Sequence, residues 1–291
     1  MACATSLSAP PAPLALPELN WFPDTPDRVD ALTRLPAACL RPAPSAEISA
    51  ELELGALIFS SPALLGGQAE KKGLSCGSCH RNGRSNPHFQ FEAISGPAGT
   101  ADVTSGLFSK ARADNVFNPV AIPDLALPEG RDQVDRTDRA SLEIFVRGQI
   151  EDEFSGDPPT DEMLAPLLTY LQYIGGDAAE CAADAPMGTN WQRDWDDAEL
   201  AAMQIPVSSD PLARAFYIRT ARLSLGQIHD RYNAPSHAEI RAALIDISRN
   251  LAAGEAWPED TNDLRARLKE GAQTSLYNAD ALSRALQLLE G

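Results

Sequence analysis

The chain has 291 residues, 44 % of them hydrophobic, which is enough for about two domains of roughly 150 residues each with a buried core. Its 24 Lys and Arg residues against 41 Asp and Glu residues give a net charge of −17, which would repel nucleic acid and anionic lipid. No apolar run approaches the roughly 18 residues of a membrane span, so the composition predicts a globular protein without nucleic-acid partners.

Residues 1–45 are predicted to form a proline-rich arm. Nine of the first 44 residues are prolines, and proline favours extended backbone over helix. The opening Met1-Ala2-Cys3 looks like the end of a lipoprotein signal, which would make Cys3 the lipidated first residue of the mature protein. The alternative is an ordinary cysteine within the arm.

A helix is predicted from about residue 46 to residue 59, because Ile48, Leu52 and Phe59 recur at helical spacing. Gly55 lies on the same stripe, where its small size would let a second helix cross closely. The stretch that continues to about residue 135 is rich in Gly, Pro, Asn and Asp, which predicts mostly loop. Something other than its own secondary structure must hold that loop in place.

Two further helices are predicted over residues 139–150 and about 163–174. The second contains Pro166, which implies a kink or a late start, and it ends at Gly175-Gly176. From residue 177 onward the pattern is a series of amphipathic helices with short breaks and no chemical motif.

Residues 76–80 read Cys-Gly-Ser-Cys-His, the attachment sequence of a c-type haem. Two residues between the cysteines let both sulfurs reach the two vinyl groups on one edge of a porphyrin, and the adjacent histidine can then ligate the iron. The motif predicts one covalently attached haem c, with Cys76 and Cys79 as anchors and His80 as axial ligand. A covalent cofactor that fills much of the core also fits the loop-rich sequence around it.

A zinc site is the strongest rival, since a cysteine pair followed by histidines also suits tetrahedral Zn²⁺. Its ligands would be Cys76, Cys79 and His88, with or without His80. The seven residues between the histidines exceed the usual spacing of about three to five, and the chain has no second cysteine pair. A plain redox pair of thiols is the other alternative.

The run Leu54-Gly55-Ala56-Leu57-Ile58-Phe59, followed by Gly73 to His80, resembles the opening of the bacterial di-haem cytochrome c peroxidase superfamily. The segment from Leu167 to Leu171 is similar to the last helix of a cytochrome c domain. The likeness covers roughly residues 50–175. Unlike that family, this chain carries a single haem motif, so an outside partner would have to deliver or remove the electron.

The expected fold class is therefore all-α. We expect a cytochrome c-like haem domain with long loops over residues 46–176 and a helical-bundle companion domain over residues 177–291, behind the arm of residues 1–45. The expected function is electron transfer by an exported mono-haem cytochrome, with a redox protein or small electron carrier as partner. The alternatives are a mono-haem peroxidase-like enzyme that reacts with hydrogen peroxide, and a structural module. Covalent haem attachment implies a periplasmic or outside-facing location, with Cys3 as a candidate membrane anchor.

The sequence does not identify the second axial ligand of the iron. The four methionines, Met1, Met163, Met187 and Met203, all lie outside the interval between His80 and Glu162, where an electron-transfer cytochrome usually has one. His88 is the candidate nearest to the motif, although eight residues barely suffice to pass around a haem edge. Met163 and Met187 are alternatives, and a five-coordinate iron open to peroxide is another. In that case His88, Gln90 or Glu92 could supply a distal base.

Two arginines follow the motif and are candidates for pairing with the haem propionates. They are Arg81 and Arg84, whose guanidinium groups match a carboxylate bidentately. The alternative is that both are simply exposed.

The remaining cysteines predict a disulfide. If haem takes Cys76 and Cys79 and Cys3 belongs to the arm, Cys39 and Cys181 are left as a pair in an exported protein. They flank the first and last helices of the haem domain, which cross in a cytochrome c fold. The alternative is two separate buried thiols.

Overall fold

The computed structural model describes residues 14–22, 25, 27–127, 134–175 and 187–290. The described part of the chain is mostly α-helical, which confirms the expected helical class. None of its helices is long and apolar enough to cross a membrane. The helices are Arg28–Thr33 (α1), Ala46–Ser60 (α2), Gly67–Lys71 (α3), Cys76–Cys79 (α4), Arg139–Gly148 (α5), Asp161–Tyr173 (α6), Trp191–Gln204 (α7), Pro211–Arg231 (α8), Ala238–Ala252 (α9), Asn262–Gly271 (α10) and Ala279–Glu290 (α11).

Short antiparallel strand pairs brace the loops between these helices. The strands are Arg34–Leu35 (β1), His80–Arg81 (β2), Arg84–Ser85 (β3), Thr100–Ala101 (β4), Val120–Ala121 (β5) and Met187–Gly188 (β6). They pair as β1 with β6, β2 with β3 and β4 with β5. The β4 to β5 pairing ties together the two ends of an otherwise irregular stretch, and it supplies part of the support that the loop-rich sequence requires.

The crossing of α2 and α6 depends on Gly55, as the sequence predicted. A Cβ atom built on Gly55 would lie 2.2 Å from the carbonyl oxygen of Pro166 and 2.5 Å from Cβ of Tyr170. The two helices therefore touch backbone to backbone. Helix α6 continues through Pro166, which has no N–H to donate to the carbonyl of Glu162. The hydroxyl of Tyr217 donates to that carbonyl instead, at 3.4 Å.

The two halves of the chain share a buried core. Phe216 and Tyr217 of α8 pack in the same apolar cluster as Ile58 of α2. The hydroxyls of Ser61 and Thr220 form a buried hydrogen bond of 2.7 Å between the halves. The expected domain boundary falls within residues 176–186, outside the described residues.

From residue 14 onward, the N-terminal segment contains a short helix and buried side chains and is not simply an extended arm. A short 3-10 helix covers Pro17–Asn20, and Trp21 and Phe22 are buried beside it. Burial of two aromatic rings outweighs the preference of the neighbouring prolines for an extended surface path. Residues 1–13, including Cys3, lie outside the described residues.

Candidate haem site

The attachment motif occupies one helical turn followed by a tight hairpin. Helix α4 contains both cysteines, and its first turn is closed by the Ser78 hydroxyl, which accepts a hydrogen bond from the Ser75 amide at 3.0 Å. His80 then begins β2. Asn82 and Gly83 connect β2 to β3 with positive φ values of 51° and 77°, as the central residues of a type I′ turn require. The hairpin fixes the direction of the histidine directly after the cysteine pair.

Cys76, Cys79 and His80 line one cavity of about 340 Å³. Both thiols are free. The volume lies within the usual range of roughly 300 to 1,000 Å³ for cofactor and small-molecule sites. Most of the wall is apolar and comes from α2, α5, α6 and the loops between them, for example Phe59, Phe89, Phe108, Leu142, Phe145 and Leu167. Such a wall suits a large apolar ring system.

The imidazole of His80 is held in place by a backbone carbonyl. Its Nδ1 lies 3.0 Å from the carbonyl oxygen of Pro123, which can only accept a hydrogen bond. Burial lowers the pKa of His80 to about 4, so the ring is neutral at neutral pH. With the proton on Nδ1, the lone pair of Nε2 is free to bind a metal. This arrangement of a ligand ring and a backbone carbonyl is typical of metal-binding histidines.

The two thiols are protonated in this cavity. Burial raises the pKa of Cys76 to about 12, with a further increase from the nearby Glu153 carboxylate, and the same two causes raise the pKa of Cys79 well above its usual range. These raised pKa values differ from the depressed pKa of a reactive redox thiol. In the described ranges no group of three or more His, Cys, Asp and Glu side chains is arranged to hold a metal ion.

A partly buried ion pair lies at the wall of the same cavity, and the sequence analysis missed it. Arg112 Nη1 is 3.1 Å from Glu153 Oε2, and both side chains line the wall together with Gln149. Burial raises the pKa of Glu153 to about 7, although Arg112 opposes the shift. Glu153 is the end of a π-helical turn, Gln149–Glu153, that continues α5. Turns of this type are frequent at functional sites.

The two arginines named as propionate partners lie elsewhere. The Nη1 atom of Arg81 donates to the carbonyl of Ala31 at 2.7 Å, and its guanidinium lies over the Phe22 ring. Arg84 forms an ion pair of 2.7 Å with Asp124. Neither residue lines the cavity. Side chains alternate along a strand, so a hairpin that directs His80 into the cavity directs Arg81 away from it.

Two arginines from later in the chain lie at the cavity instead. Arg112 and Arg136 both line the cavity. Arg136 also donates to the backbone carbonyls of Leu171 and Leu125, which holds its guanidinium at the wall. Among the described residues of the wall, these two side chains are the Lys or Arg groups within reach of an acidic group in the cavity.

His88 does not line the cavity either. Its amide donates to Asn86 Oδ1 at 3.1 Å, and its ring lies 6.2 Å from that of Phe22. The predicted alternation from His88 to Glu92 is present, but the face that points inward carries Phe89 and Phe91. The tight turn at Asn86 leaves too little chain for His88 to reach across the site. Gln90 and Glu92 are exposed.

The three described methionines are also outside the cavity wall. Met163 is buried within α6, and Met187 and Met203 are exposed. The undescribed segments 128–133 and 176–186 contain neither His nor Met. Among the described residues that line the cavity, His80 is thus the single His or Met side chain.

The chain around Cys39 lies beside the end of α6, as the sequence predicted for the flanks of crossing helices. The amide of Gly175 donates to the carbonyl of Cys39 at 2.7 Å, and Leu40 bridges to Ile174. Cys39 is disulfide-bonded. Cys181, its expected partner, lies outside the described residues, so that pairing stays a prediction.

Comparison of the chain with known protein families, with curated proteins and with solved structures gives no match. The resemblance to the peroxidase superfamily therefore rests on the haem motif and its flanking helices.

Proposed function

We propose that this protein is a mono-haem c-type cytochrome that transfers electrons. The proposal rests on one arrangement: a free cysteine pair and a neutral, backbone-anchored histidine line the same apolar cavity. The thiols suit thioether bonds to a porphyrin edge, and Nε2 of His80 suits the iron. The rest of the wall offers the dry, apolar surroundings that a haem requires.

Each of these residues has a separate task in the proposed site. Cys76 and Cys79 anchor the cofactor, and His80 holds the metal while Pro123 fixes the plane and tautomer of its ring. Arg112 and Arg136 offer guanidinium groups for the propionates. The haem, when bound, supplies one-electron oxidation and reduction. A redox protein or a small carrier exchanges the electron, because the chain holds one haem motif only.

The proposed location is periplasmic or otherwise outside-facing. Haem is attached to this motif outside the cytoplasm, and disulfides such as that of Cys39 persist in oxidising compartments. A lipid anchor at Cys3 remains part of this proposal.

A second candidate is a peroxidase-like enzyme, and the pair of Glu153 and Arg112 favours it. A carboxyl group with a pKa of about 7 can take up and return a proton near neutral pH. A guanidinium beside it can stabilise negative charge on an oxygen. The described wall supplies no His or Met besides His80, so it would offer the iron of a bound haem one such ligand.

A spectroelectrochemical titration of the purified haem protein tests the first proposal and separates it from the second. We expect one reversible one-electron wave, a spectrum that changes in His80→Ala, and reoxidation by a soluble electron acceptor. The absence of a Soret band, or stoichiometric zinc in its place, would overturn both candidates. A ferric form that turns over hydrogen peroxide rapidly, and loses this reaction in Glu153→Gln, would favour the second.

A further inference from the structure

Two carboxyl groups line the candidate haem cavity, and they differ in how their charge is compensated. Asp102 Oδ1 accepts hydrogen bonds from both the amide and the hydroxyl of Thr104, at 2.9 and 2.8 Å. Among the described residues, the Glu153 carboxylate accepts one side-chain hydrogen bond, from Arg112 Nη1 at 3.1 Å. A carboxylate has about four acceptor sites, so the charge of Glu153 is the less completely compensated of the two.

The Glu153 side chain is buried, but its partner reaches solvent. The side chain of Glu153 is 8 % exposed and that of Arg112 is 32 % exposed. Burial disfavours the charged form of a carboxyl group, which is why the pKa of Glu153 is about 7 even though Arg112 lowers it. The pair therefore lies between the interior of the cavity and water, where a carboxyl can both exchange a proton and feel a charge inside the cavity.

The charge of Glu153 acts on the place where the haem would be attached. Its carboxylate contributes to the raised pKa of Cys76 and of Cys79. Glu153 is therefore within electrostatic reach of both sulfurs that would anchor the cofactor. Charges interact more strongly in an apolar interior than in water. A change of one unit of charge on a haem bound through these sulfurs must then change the proton affinity of Glu153.

The other ionisable groups of the described cavity wall are committed to other contacts. They are Cys76, Cys79, His80, Asp102, Arg112 and Arg136. In the proposed haem protein the cysteines are thioethers, His80 binds the iron, and the guanidinium groups stay charged. The two donors of Asp102 favour its ionised form. Glu151 and Asp152, on the same turn as Glu153, do not line the cavity. Glu153 is thus the group of this wall that can change its charge near neutral pH.

We propose that Glu153 takes up a proton when a haem bound in this cavity accepts an electron, and releases it when the electron leaves. This inference rests on the proposed function. An outside donor supplies the electron, which converts ferric to ferrous iron, and water supplies the proton, which converts the carboxylate to the neutral carboxyl. Reduction removes one positive charge that stabilises the carboxylate, so Glu153 binds its proton more tightly in the reduced protein. The protein therefore transfers a proton together with the electron.

Redox titration of the haem protein at several pH values tests this coupling. We expect the midpoint potential to fall as the pH rises around the pKa of Glu153, by up to about 59 mV per pH unit, the value for one proton per electron. A pH-indicator dye in weakly buffered solution should record proton uptake on reduction. A potential that is constant between about pH 5 and 9, or reduction without proton uptake, would overturn this inference. A protein without a haem wave would instead overturn the proposed function.

Matched variants assign the proton to Glu153. Glu153→Gln should lose both the pH dependence and the proton uptake, because an amide does not titrate. Asp102→Asn, at the other carboxyl of the wall, should keep both. If Glu153→Gln does not retain haem, Arg112→Gln takes its place: it removes the cation that lowers the pKa of Glu153, so the fall in potential should move to higher pH. A pH dependence that persists in Glu153→Gln, or an unchanged pH range in Arg112→Gln, would contradict the proposal.

Discussion

Nδ1 of His80 and the carbonyl oxygen of Pro123 lie 3.0 Å apart although 43 residues separate them in sequence. The irregular chain between them is held at several points. The amide of Ile122 donates to the carbonyl of Gly99 at 2.9 Å, and Asp124 pairs with Arg84 of the hairpin that follows His80. The long loop is thus a support that brings a carbonyl to the His80 ring.

The axial ligand can be tested by comparing two histidine variants of the haem protein. We expect His80→Ala to change the visible spectrum, because it removes the ring that lines the cavity. His88→Ala should leave the spectrum unchanged, since this side chain lies outside the cavity wall. A conversion from low spin to high spin in His88→Ala would show that the chain rearranges around the haem to bring His88 to the iron.

Glycine replacements at two sites should have opposite effects on the free energy of unfolding. Gly55→Ala inserts a Cβ atom 2.2 Å from the carbonyl oxygen of Pro166, and we expect a loss of about 3 kcal/mol from overpacking. Gly226→Ala meets no atom within 4 Å and should gain roughly 0.5 to 1 kcal/mol from helix propensity. Denaturant unfolding measures both. A neutral Gly55→Ala would mean that α2 and α6 do not touch at this point.

The buried ion pair of Arg231 and Glu18 should contribute more than an exposed one. The two side chains are 4 % and 18 % exposed, with Nη2 and Oε1 2.7 Å apart. Arg231→Ala leaves a buried carboxylate without its partner, which typically costs about 3 to 5 kcal/mol. The control is Arg249→Ala, whose exposed pair with Asp246 is expected to contribute under about 0.5 kcal/mol. Equal effects of the two variants on the free energy of unfolding would contradict the described burial.

Glu153 should make stability depend on pH. Burial raises its pKa from 4.5 to about 7, so the folded chain favours the protonated carboxyl. Its contribution is fully favourable below pH 4.5 and is lost as the pH rises toward 7, by roughly 3 kcal/mol in total. Chemical unfolding of the haem-free chain at several pH values, compared with Glu153→Gln, measures this. The difference between the two proteins should change over that interval, and a constant difference would mean that the carboxyl is not buried.

The predicted disulfide between Cys39 and Cys181 can be tested chemically. Digestion without reduction should release a peptide pair joined through Cys39 and Cys181. Cys39→Ser should lower the free energy of unfolding by about 2 to 4 kcal/mol. A Cys39 peptide linked to Cys3 would instead show that the N-terminal cysteine is not lipidated.

Features with a local cause could be predicted from the sequence. The helical spacing around Gly55 predicted the close crossing of α2 with a second helix. The five-residue motif predicted that the cysteine pair and its histidine share one site. The Asn82-Gly83 dipeptide is a strong hairpin signal and could have shown that Arg81 points away from His80. Helical spacing places Glu153 on the same apolar face as Val146 and Ile150. The sequence could therefore also have indicated a carboxyl group on that face.

Features that depend on distant contacts could not be predicted in this way. Nothing local identifies Pro123 as the acceptor for His80, since 43 residues of irregular chain intervene. The burial of Trp21 depends on chain about 70 residues further on, where the Phe89 ring lies 6.2 Å from its ring and the Gln90 amide donates to its carbonyl. Proline content alone indicated an exposed arm, because composition does not report which surfaces are available for packing.

The central claim is that Cys76 and Cys79 carry a covalent haem, and mass spectrometry of the intact, denatured protein tests it most directly. The protein is produced with the c-type haem attachment machinery and extracted with acid and organic solvent. The account predicts a mass increased by one haem that survives extraction and is absent in the double variant Cys76→Ala, Cys79→Ala. A mass equal to that of the bare polypeptide after extraction would contradict it.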